Sequence, residues 1–335
     1  MTTRRIGDTD VYPIGLGCMN LSHAYGPPTP PEEAAKLLNR ALDQGCNFLD
    51  TATIYGAGEN EKLIASSIGE RRSEYFLASK CVLAVKDGKR VLDARPDAIK
   101  AACDASLKRL NTDVIDLYYM HRPDPNVPIE DSVGALAELV DAGKIRFVGL
   151  SEMGAGLIKR AQAVHPIAAL QTEYSLWVRN PEIAVLDLCR ELDIAFVAFS
   201  PVGRGFLADP PYDPTDMKEG DMRRLFPRFS DEHYPGNLKL LEGARDIANE
   251  AGCTVAQLAL AWLLAKGDHV IPIPGTTSMS HLKDDIDAGK IELSKALVER
   301  LDAHFTPESA VGPRYAPMMQ ATVDTEQFDF EQGEA

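Results

Sequence analysis

Eight short apolar runs alternate with amphipathic helical segments between residues 14 and 288, a span suited to eight strand–helix units, and the first run is not followed by a G-x-G-x-x-G turn. Together these observations predict an α/β protein of one domain, a (β/α)8 TIM barrel. An open doubly wound sheet is the rival arrangement. It calls for a glycine-rich dinucleotide turn after its first strand, and here that stretch reads Gly15-Leu16-Gly17-Cys18-Met19-Asn20, with no third glycine.

The first strand is predicted at Ile14–Cys18. A helix follows, with Thr29 as its cap, Pro30 as its first helical residue, Leu37, Leu38, Ala41 and Leu42 on one face, and Gly45 at its end. Strand two is Phe48–Asp50, followed by a helix over Glu59–Ile68. Strand three, Tyr75–Ser79, leads to a helix starting at Pro96, with Ile99, Ala102, Cys103, Leu107 and Leu110 on one side. Strand four is Val114–Tyr119, and Val133, Leu136, Ala137 and Val140 mark the next helix, closed by Gly143. Strands five and six, Ile145–Leu150 and Ala168–Thr172, precede helices at Ala155–Val164 and Pro181–Leu192. Strand seven is Ala195–Phe199, and strand eight, Val270–Ile273, precedes a helix at Ser280–Ala288.

Two stretches break the alternation. Residues 201–237 are rich in Pro, Gly, Asp and Arg and lack a sustained period. A loop of that length after strand seven, on the face where barrel active sites lie, is expected to be a lid or binding loop. The tail 305–335 carries Pro307, Pro313 and Pro317. Its first half is expected over the barrel mouth. The barrel is assigned to residues 1–320, and the acidic stretch 321–335 is expected to have no fixed structure.

Composition narrows the functional class. The 335 residues carry a net charge of −15, which argues against nucleic acid and anionic membrane surfaces as partners. No apolar run approaches the ~18 residues of a membrane span, and the N-terminal residues lack a signal-peptide pattern, so a cytoplasmic location is expected. The six cysteines form no C-x-x-C pair and read as buried, reduced side chains; no histidine pattern indicates a metal site. Nothing in the sequence fixes an oligomeric state.

Four polar residues fall at or just past the ends of strands two, three and four: Asp50, Tyr55, Lys80 and His121. Neighbouring parallel strands lie ~4.8 Å apart, so groups at one end of three adjacent strands can converge. Each alone has an ordinary structural explanation; together they suit proton donation to a carbonyl oxygen. A free tyrosine, with its pKa near ~10, is a reluctant acid; a lysine ammonium beside it would lower that value, and an aspartate would hold the lysine as an ion pair. Histidine would orient and polarise the carbonyl.

With these residues in view, the sequence resembles the aldo-keto reductase family, and within it the bacterial and plant branch. The resemblance runs from Ile14-Gly15-Leu16-Gly17-Cys18-Met19 to Ile271-Pro272-Ile273-Pro274-Gly275-Thr276 and is most specific at residues 47–56, 143–151 and 200–207. It implies a (β/α)8 barrel and reduction of aldehydes or ketones with NADPH, NADH being the alternative. The acid would stand at Tyr55, helped by Asp50, Lys80 and His121. The cofactor would meet Gly17, Met19 and Asp50 on one side and, at its nicotinamide, Ser151, Gln171 and the stacking ring of Phe199. Ser200, Gly203 and Arg204 would meet its pyrophosphate, and Gly275, Thr277, His281, Asp284 and Asp285 its far end. Two departures stand out: Glu152 occupies a position where relatives often carry Asn, and Thr277 and Ser278 replace a basic pair.

Two other readings come from the same residues. A Schiff-base aldolase-type barrel would use Lys80 as nucleophile, although Asp50 and Tyr55 would keep it charged. A cofactor-binding regulatory subunit would keep the barrel without turnover. For the substrate, Tyr25, Tyr174, Trp177, Phe226 and Tyr315 are candidates to line an apolar pocket, which would favour aromatic or alicyclic carbonyls over small charged aldehydes.

Overall fold

The computed structural model describes residues 3–22, 24–86 and 89–331. A hairpin of β1 (Arg4–Ile6) and β2 (Thr9–Val11) comes first. The barrel follows, built from β3 (Leu16–Gly17), β4 (Phe48–Asp50) and β5 (Phe76–Cys81), and, after a second hairpin of β6 (Leu83–Lys86) and β7 (Lys89–Leu92), β8 (Ile115–Met120), β9 (Ile145–Ser151), β10 (Ile167–Glu173), β11 (Ala195–Phe199) and β12 (Val270–Ile273). These eight strands are parallel neighbours in that order. The Gly15 N–H donates to Pro272 O at 3.0 Å and the Gly17 N–H to Pro274 O at 2.9 Å, so the first and last strands also meet and the sheet closes. Closure removes both sheet edges, the unpaired rows that an open sheet must cover in some other way.

Helices α1 (Pro31–Asp43), α2 (Glu59–Ile68), α3 (Pro96–Leu110), α4 (Ile129–Asp141), α5 (Ala155–Val164), α6 (Val185–Glu191), α7 (Tyr234–Leu238), α8 (Leu240–Ala251), α9 (Val255–Ala265), α10 (Met279–Ala288), α11 (Lys295–His304) and α12 (Pro317–Gln320) complete the chain. The eight strands expected from sequence are all present, most with ends shifted by a residue or two. The first helix starts at Pro31 with Pro30 as its cap, so Thr29 makes no cap. The expected Pro181–Leu192 helix divides into a 3-10 turn at Asn180–Ile183 and α6. No helix among the described residues is by itself long and apolar enough to cross a membrane.

Strand pleating divides the core in two. Phe48, Phe76, Ala78, Leu117, Tyr119, Ala169, Val197 and Ile271 point into the barrel, joined at its base by Ile6 and Val11 from the hairpin. The alternate residues, such as Leu49, Leu77, Tyr118, Leu170 and Phe196, pack outward on the helices. Cys18, Cys46, Cys81, Cys103 and Cys189 are buried and Cys253 partly so, and all six are free thiols.

Residues 201–237 are wound into 3-10 turns at Gly203–Gly205, Pro214–Asp216, Met222–Leu225 and Pro227–Phe229 before α7. The Met222 N–H donates to Ala24 O at 2.9 Å, and the Arg223 guanidinium stacks on Tyr212 and faces Tyr25. This segment therefore spans the barrel mouth to the loop after β3. Residues 321–331, read from composition as an unstructured acidic stretch, lie against the barrel. The Asp324 N–H donates to Glu152 O at 2.9 Å, the Asp324 and Glu326 carboxylates accept from the free Gly154 and Ala155 N–H groups at the start of α5, and Asn180 Nδ2 donates to Glu331 Oε2. Acidic side chains suit the positive end of a helix, which composition does not reveal. Residues 332–335 lie outside the described residues.

Candidate active site

The period-2 pleat explains why chemistry gathers at one end. Continuing inward from Phe48, Ala78, Tyr119, Gly149, Ala169 and Val197 by two residues gives Asp50, Lys80, His121, Ser151, Gln171 and Phe199. Apart from Phe199 the last inward layer is polar, and it sits at the C-terminal ends of six strands. Above it opens a cavity of about 610 Å³. Asp50, Tyr55, His121, Ser151, Gln171 and Phe199 line its floor and near wall. Lys80 does not line it; its side chain is fully buried behind Asp50 and Tyr55.

Tyr55 reaches this ring from the loop after β4, held by a dense set of bonds. The Thr51 N–H donates to Ala78 O at 2.9 Å, Thr51 Oγ1 donates to Asn60 Oδ1 at 2.6 Å, and Asn60 Nδ2 donates to Cys18 O at 2.8 Å. Gly58 ends the turn at φ +93°, where an added Cβ would stand 2.7 Å from Arg109 Cδ. That arginine pairs with buried Glu61, which accepts from Ser79 Oγ on β5. A side chain at residue 58 would thus strain the turn and push apart the contacts that dock α2 on the sheet.

At the centre, the Lys80 ammonium donates to Asp50 Oδ1, to Thr51 O at 2.8 Å and to the Tyr55 hydroxyl oxygen at 3.3 Å. Asp50 Oδ2 accepts from Gln171 Nε2 at 2.7 Å. Burial alone would lower the Lys80 pKa, but the Asp50 charge and Tyr55 more than offset it and hold the ammonium above its ordinary value. Lys80 is therefore charged, and the nucleophilic amine of the aldolase-type reading is absent. Tyr55 departs from the sequence expectation. Burial raises its pKa and outweighs the downward pull of Lys80, so the phenol is protonated across the neutral range. His121 is driven well below its usual value by burial and by the neighbouring Arg122, Lys80 and Arg90 charges, so it is a neutral imidazole. Its ring meets Tyr55 edge to face at 6.0 Å, and its Nδ1 has no hydrogen-bond partner.

The cavity runs from this centre along the ends of β11 and β12. Gly17, Met19, Ser200, Arg204, Gly275, Thr277, His281, Asp284 and Asp285 line that arm. Ser278 caps α10, its Oγ accepting from the His281 N–H at 3.4 Å. Gly203 does not line the cavity; an added Cβ there would press on the Trp177 ring, behind the wall. Arg204 does line it, but its guanidinium is already paired with Glu173 at 2.9 Å and lies 4.0 Å over Phe226. An anion meeting Arg204 there would share its guanidinium with Glu173. Of the aromatics expected at the pocket, Tyr25, Phe226 and Tyr315 line it. Tyr174 and Trp177 do not: they pack in the outer core, against Phe196 and Trp262 and against Phe206.

Arg90, Arg122 and Arg223 also line the cavity and escaped the reading of single residues. Arg122 had a signal, since it follows His121 directly at a strand end. Arg90 had little, because the β6–β7 hairpin that carries it interrupts the strand–helix alternation.

Asp285 carries an acid–base consequence. Burial, reinforced by the Asp284 charge, pushes its carboxyl up to about 8. In the unfolded chain it would ionise near ~3.9. Between about pH 4 and 8 the folded protein therefore retains a proton that the unfolded chain has lost, and this group's contribution to stability falls as pH rises through that window. Asp285→Asn is neutral throughout. Its melting temperature relative to wild type is expected to be near zero difference at pH 4 and clearly positive at pH 8. Thermal melts at both pH values check this, and a difference that does not grow with pH contradicts it.

The model of the aldo/keto reductase family matches residues 13–305. The aldo-keto reductase yakc, NADP(+), of Schizosaccharomyces pombe is 44% identical over 323 residues, 94% of each chain. A solved glycerol dehydrogenase of Gluconobacter oxydans superposes with a TM-score of 0.83 at 26% identity, covering 94% of this chain and 98% of its own. An aldo-keto reductase of Klebsiella pneumoniae in complex with NADPH gives a TM-score of 0.71 at 27% identity, covering 94% and 99%.

Proposed function

The chain belongs to the aldo/keto reductase family, and from that premise we propose that it reduces aldehyde or ketone groups of small molecules with NADPH, Tyr55 serving as the general acid. One observation carries the reading: a buried, charged Lys80 bonded at once to Asp50 and to the Tyr55 hydroxyl, beneath a cavity floor that Asp50, Tyr55 and a neutral His121 line.

The residues present fit the cofactor. Ser151 and Gln171 offer hydroxyl and amide groups suited to a carboxamide, and the half-buried Phe199 ring offers a stacking face. The N-terminal turn of α10, with Ser278 and Thr277, favours an anion, and the raised pKa of Asp285 keeps that carboxyl from opposing one at neutral pH. When bound, the reduced nicotinamide supplies hydride to the carbonyl carbon.

This chain's residues account for the proton. The Tyr55 oxygen accepts from Lys80, which leaves its own O–H available to donate to a carbonyl oxygen in the cavity. His121, being neutral, can donate one N–H to that oxygen and hold it in line without adding a charge. As negative charge develops on the carbonyl oxygen, the Tyr55 proton moves to it. The phenolate left behind stands 3.3 Å from the Lys80 ammonium, which stabilises it more than it stabilised the phenol. Asp50 and the Thr51 carbonyl fix the ammonium in place.

Fluorescence titration with NADPH and with NADH tests the class. Saturable binding of NADPH, tighter than NADH, followed by consumption of the reduced cofactor on adding an aldehyde, is the expected result. Failure to bind either nucleotide overturns the reading, and tight binding with no turnover of any carbonyl would favour the regulatory alternative.

A further inference from the structure

Four arginines line the cavity, and they divide into two kinds. Arg204 is paired with Glu173 and Arg223 with Asp221. Arg90 and Arg122 have no carboxylate partner among the described residues. In a chain with a net charge of −15, two guanidiniums without carboxylate partners give this cavity a local positive charge. Neighbouring cations repel. An arrangement of this kind costs free energy until an anion sits between the charges.

The two side chains are differently held. Arg122 is anchored: its Nη1 donates to His121 O at 2.6 Å and to Ser151 Oγ at 3.3 Å. Its Nε is buried with no acceptor at all. A buried donor without a partner is costly, so an acceptor is expected there when the site is filled. Arg90 stands on β7 opposite Val85, exposed, with no bonded partner among the described residues. Both sit at the Tyr55–His121 end of the cavity, away from the α10 end suited to nucleotide phosphates. Tyr25, Phe226 and Tyr315 supply an apolar surface in the same space.

We propose that Arg90 and Arg122 form an oxyanion subsite for the substrate, so that the preferred carbonyl compound carries a carboxylate or phosphate on an aromatic or alicyclic frame. This rests on the reductase reading above for the carbonyl, and on the two arginines alone for the anion. It amends the sequence expectation that an apolar pocket disfavours charge: the frame is apolar, but its far end meets paired cations. Guanidinium forks recognise either oxyanion in bidentate fashion.

The test uses the full-length protein saturated with NADPH. kcat and KM are measured for 4-carboxybenzaldehyde, 4-formylphenyl phosphate and the neutral methyl 4-formylbenzoate, with wild type, Arg90→Leu and Arg122→Leu. Binding of the unreactive benzoate and phenyl phosphate is followed by quenching of bound NADPH fluorescence. We expect at least one anionic aldehyde to exceed the ester tenfold or more in kcat/KM, mainly through KM, and that ratio to collapse toward one in both variants. Which anion wins assigns the carboxylate or the phosphate. An ester used as well as both anions overturns the subsite and leaves the reductase reading standing, as does a preference that survives both substitutions. Anion binding that is lost in the variants, without turnover of any aldehyde, keeps the subsite and removes the reductase reading. If Arg122→Leu weakens NADPH itself and leaves the ratio unchanged, the arginine serves the cofactor and the proposal fails.

Discussion

Tyr55→Phe is expected to lower kcat by roughly a hundred- to ten-thousand-fold, the range that positioned general acids contribute, while NADPH affinity changes little. The substitution removes one oxygen. That oxygen accepts a single bond, from Lys80 at 3.3 Å, and Lys80 keeps Asp50 and the Thr51 carbonyl as partners, so the ion pair beneath survives. The ring keeps its edge contact with His121. Loss of rate with the fold and cofactor site preserved would mean that the hydroxyl acts in the transition state and not in binding. Because Tyr55 is held protonated by burial, wild-type reduction is also expected to be flat from about pH 6 to 8 with respect to this group, whose ordinary pKa already lies near ~10. Single-turnover rates and circular dichroism of the variant, side by side, check the prediction. A fully active, correctly folded variant would remove Tyr55 from the mechanism.

Much of this site is legible in the sequence because one physical rule governs it. Strand pleating makes every second residue point inward, and each strand is staggered by two residues on the next, with Asp50 beside Ala78 and Lys80 beside Tyr119, so Asp50, Lys80 and His121 stay on the inward face and converge once their strands are placed. The helices read from sequence carry one wet face, but that signal is not sufficient, since α8, with Leu241, Ala244, Ile247 and Ala248 buried on one side, is absent from the sequence reading. α9 was not found: Val255, Leu258, Ala259, Leu260, Ala261, Trp262 and Leu263 are all buried, and a helix covered nearly all round shows no stripe. Its start was readable in principle from the Thr254–Gln257 capping box. What the sequence hides is pairing at a distance. Nothing near Arg204 announces that Glu173 neutralises it, nothing near Glu152 announces Arg314, and the net direction of the Tyr55 shift depends on burial that no local pattern reports.

The distant pairing at Glu152 supports the second large effect. Arg314 is buried and donates to Glu152 through Nη2 and to Glu173 through Nε at 3.1 Å. Glu173 also accepts from the Tyr315 hydroxyl at 2.7 Å and pairs with Arg204 at 2.9 Å. Glu152 accepts further from Thr325 Oγ1 at 2.7 Å and from the Glu173 N–H at 2.9 Å. Two carboxylates and two guanidiniums balance. Burial alone would raise Glu173, but Arg204 and Arg314 pull it to about 2, so its stabilising share is present above the ordinary carboxylate range and lost only as pH falls through that value. Arg314→Met removes one cation and leaves a net buried negative charge, which costs about 3–5 kcal/mol. With an unfolding entropy of about 2.1 cal/mol/K per residue, the melting temperature should fall by about 4–7 °C at neutral pH. Adding Glu152→Gln deletes the unpaired charge while keeping the shape and one acceptor, so the double variant should regain at least half of that loss. The segment from Arg314 to Thr325 is joined to β10 and to Glu152, just past β9, through these bonds, so faster proteolysis within it should accompany the single variant and diminish in the double. A melting point within one degree of wild type, or a double variant no better than the single, would show that the C-terminal segment is held by its packing and not by this charge network.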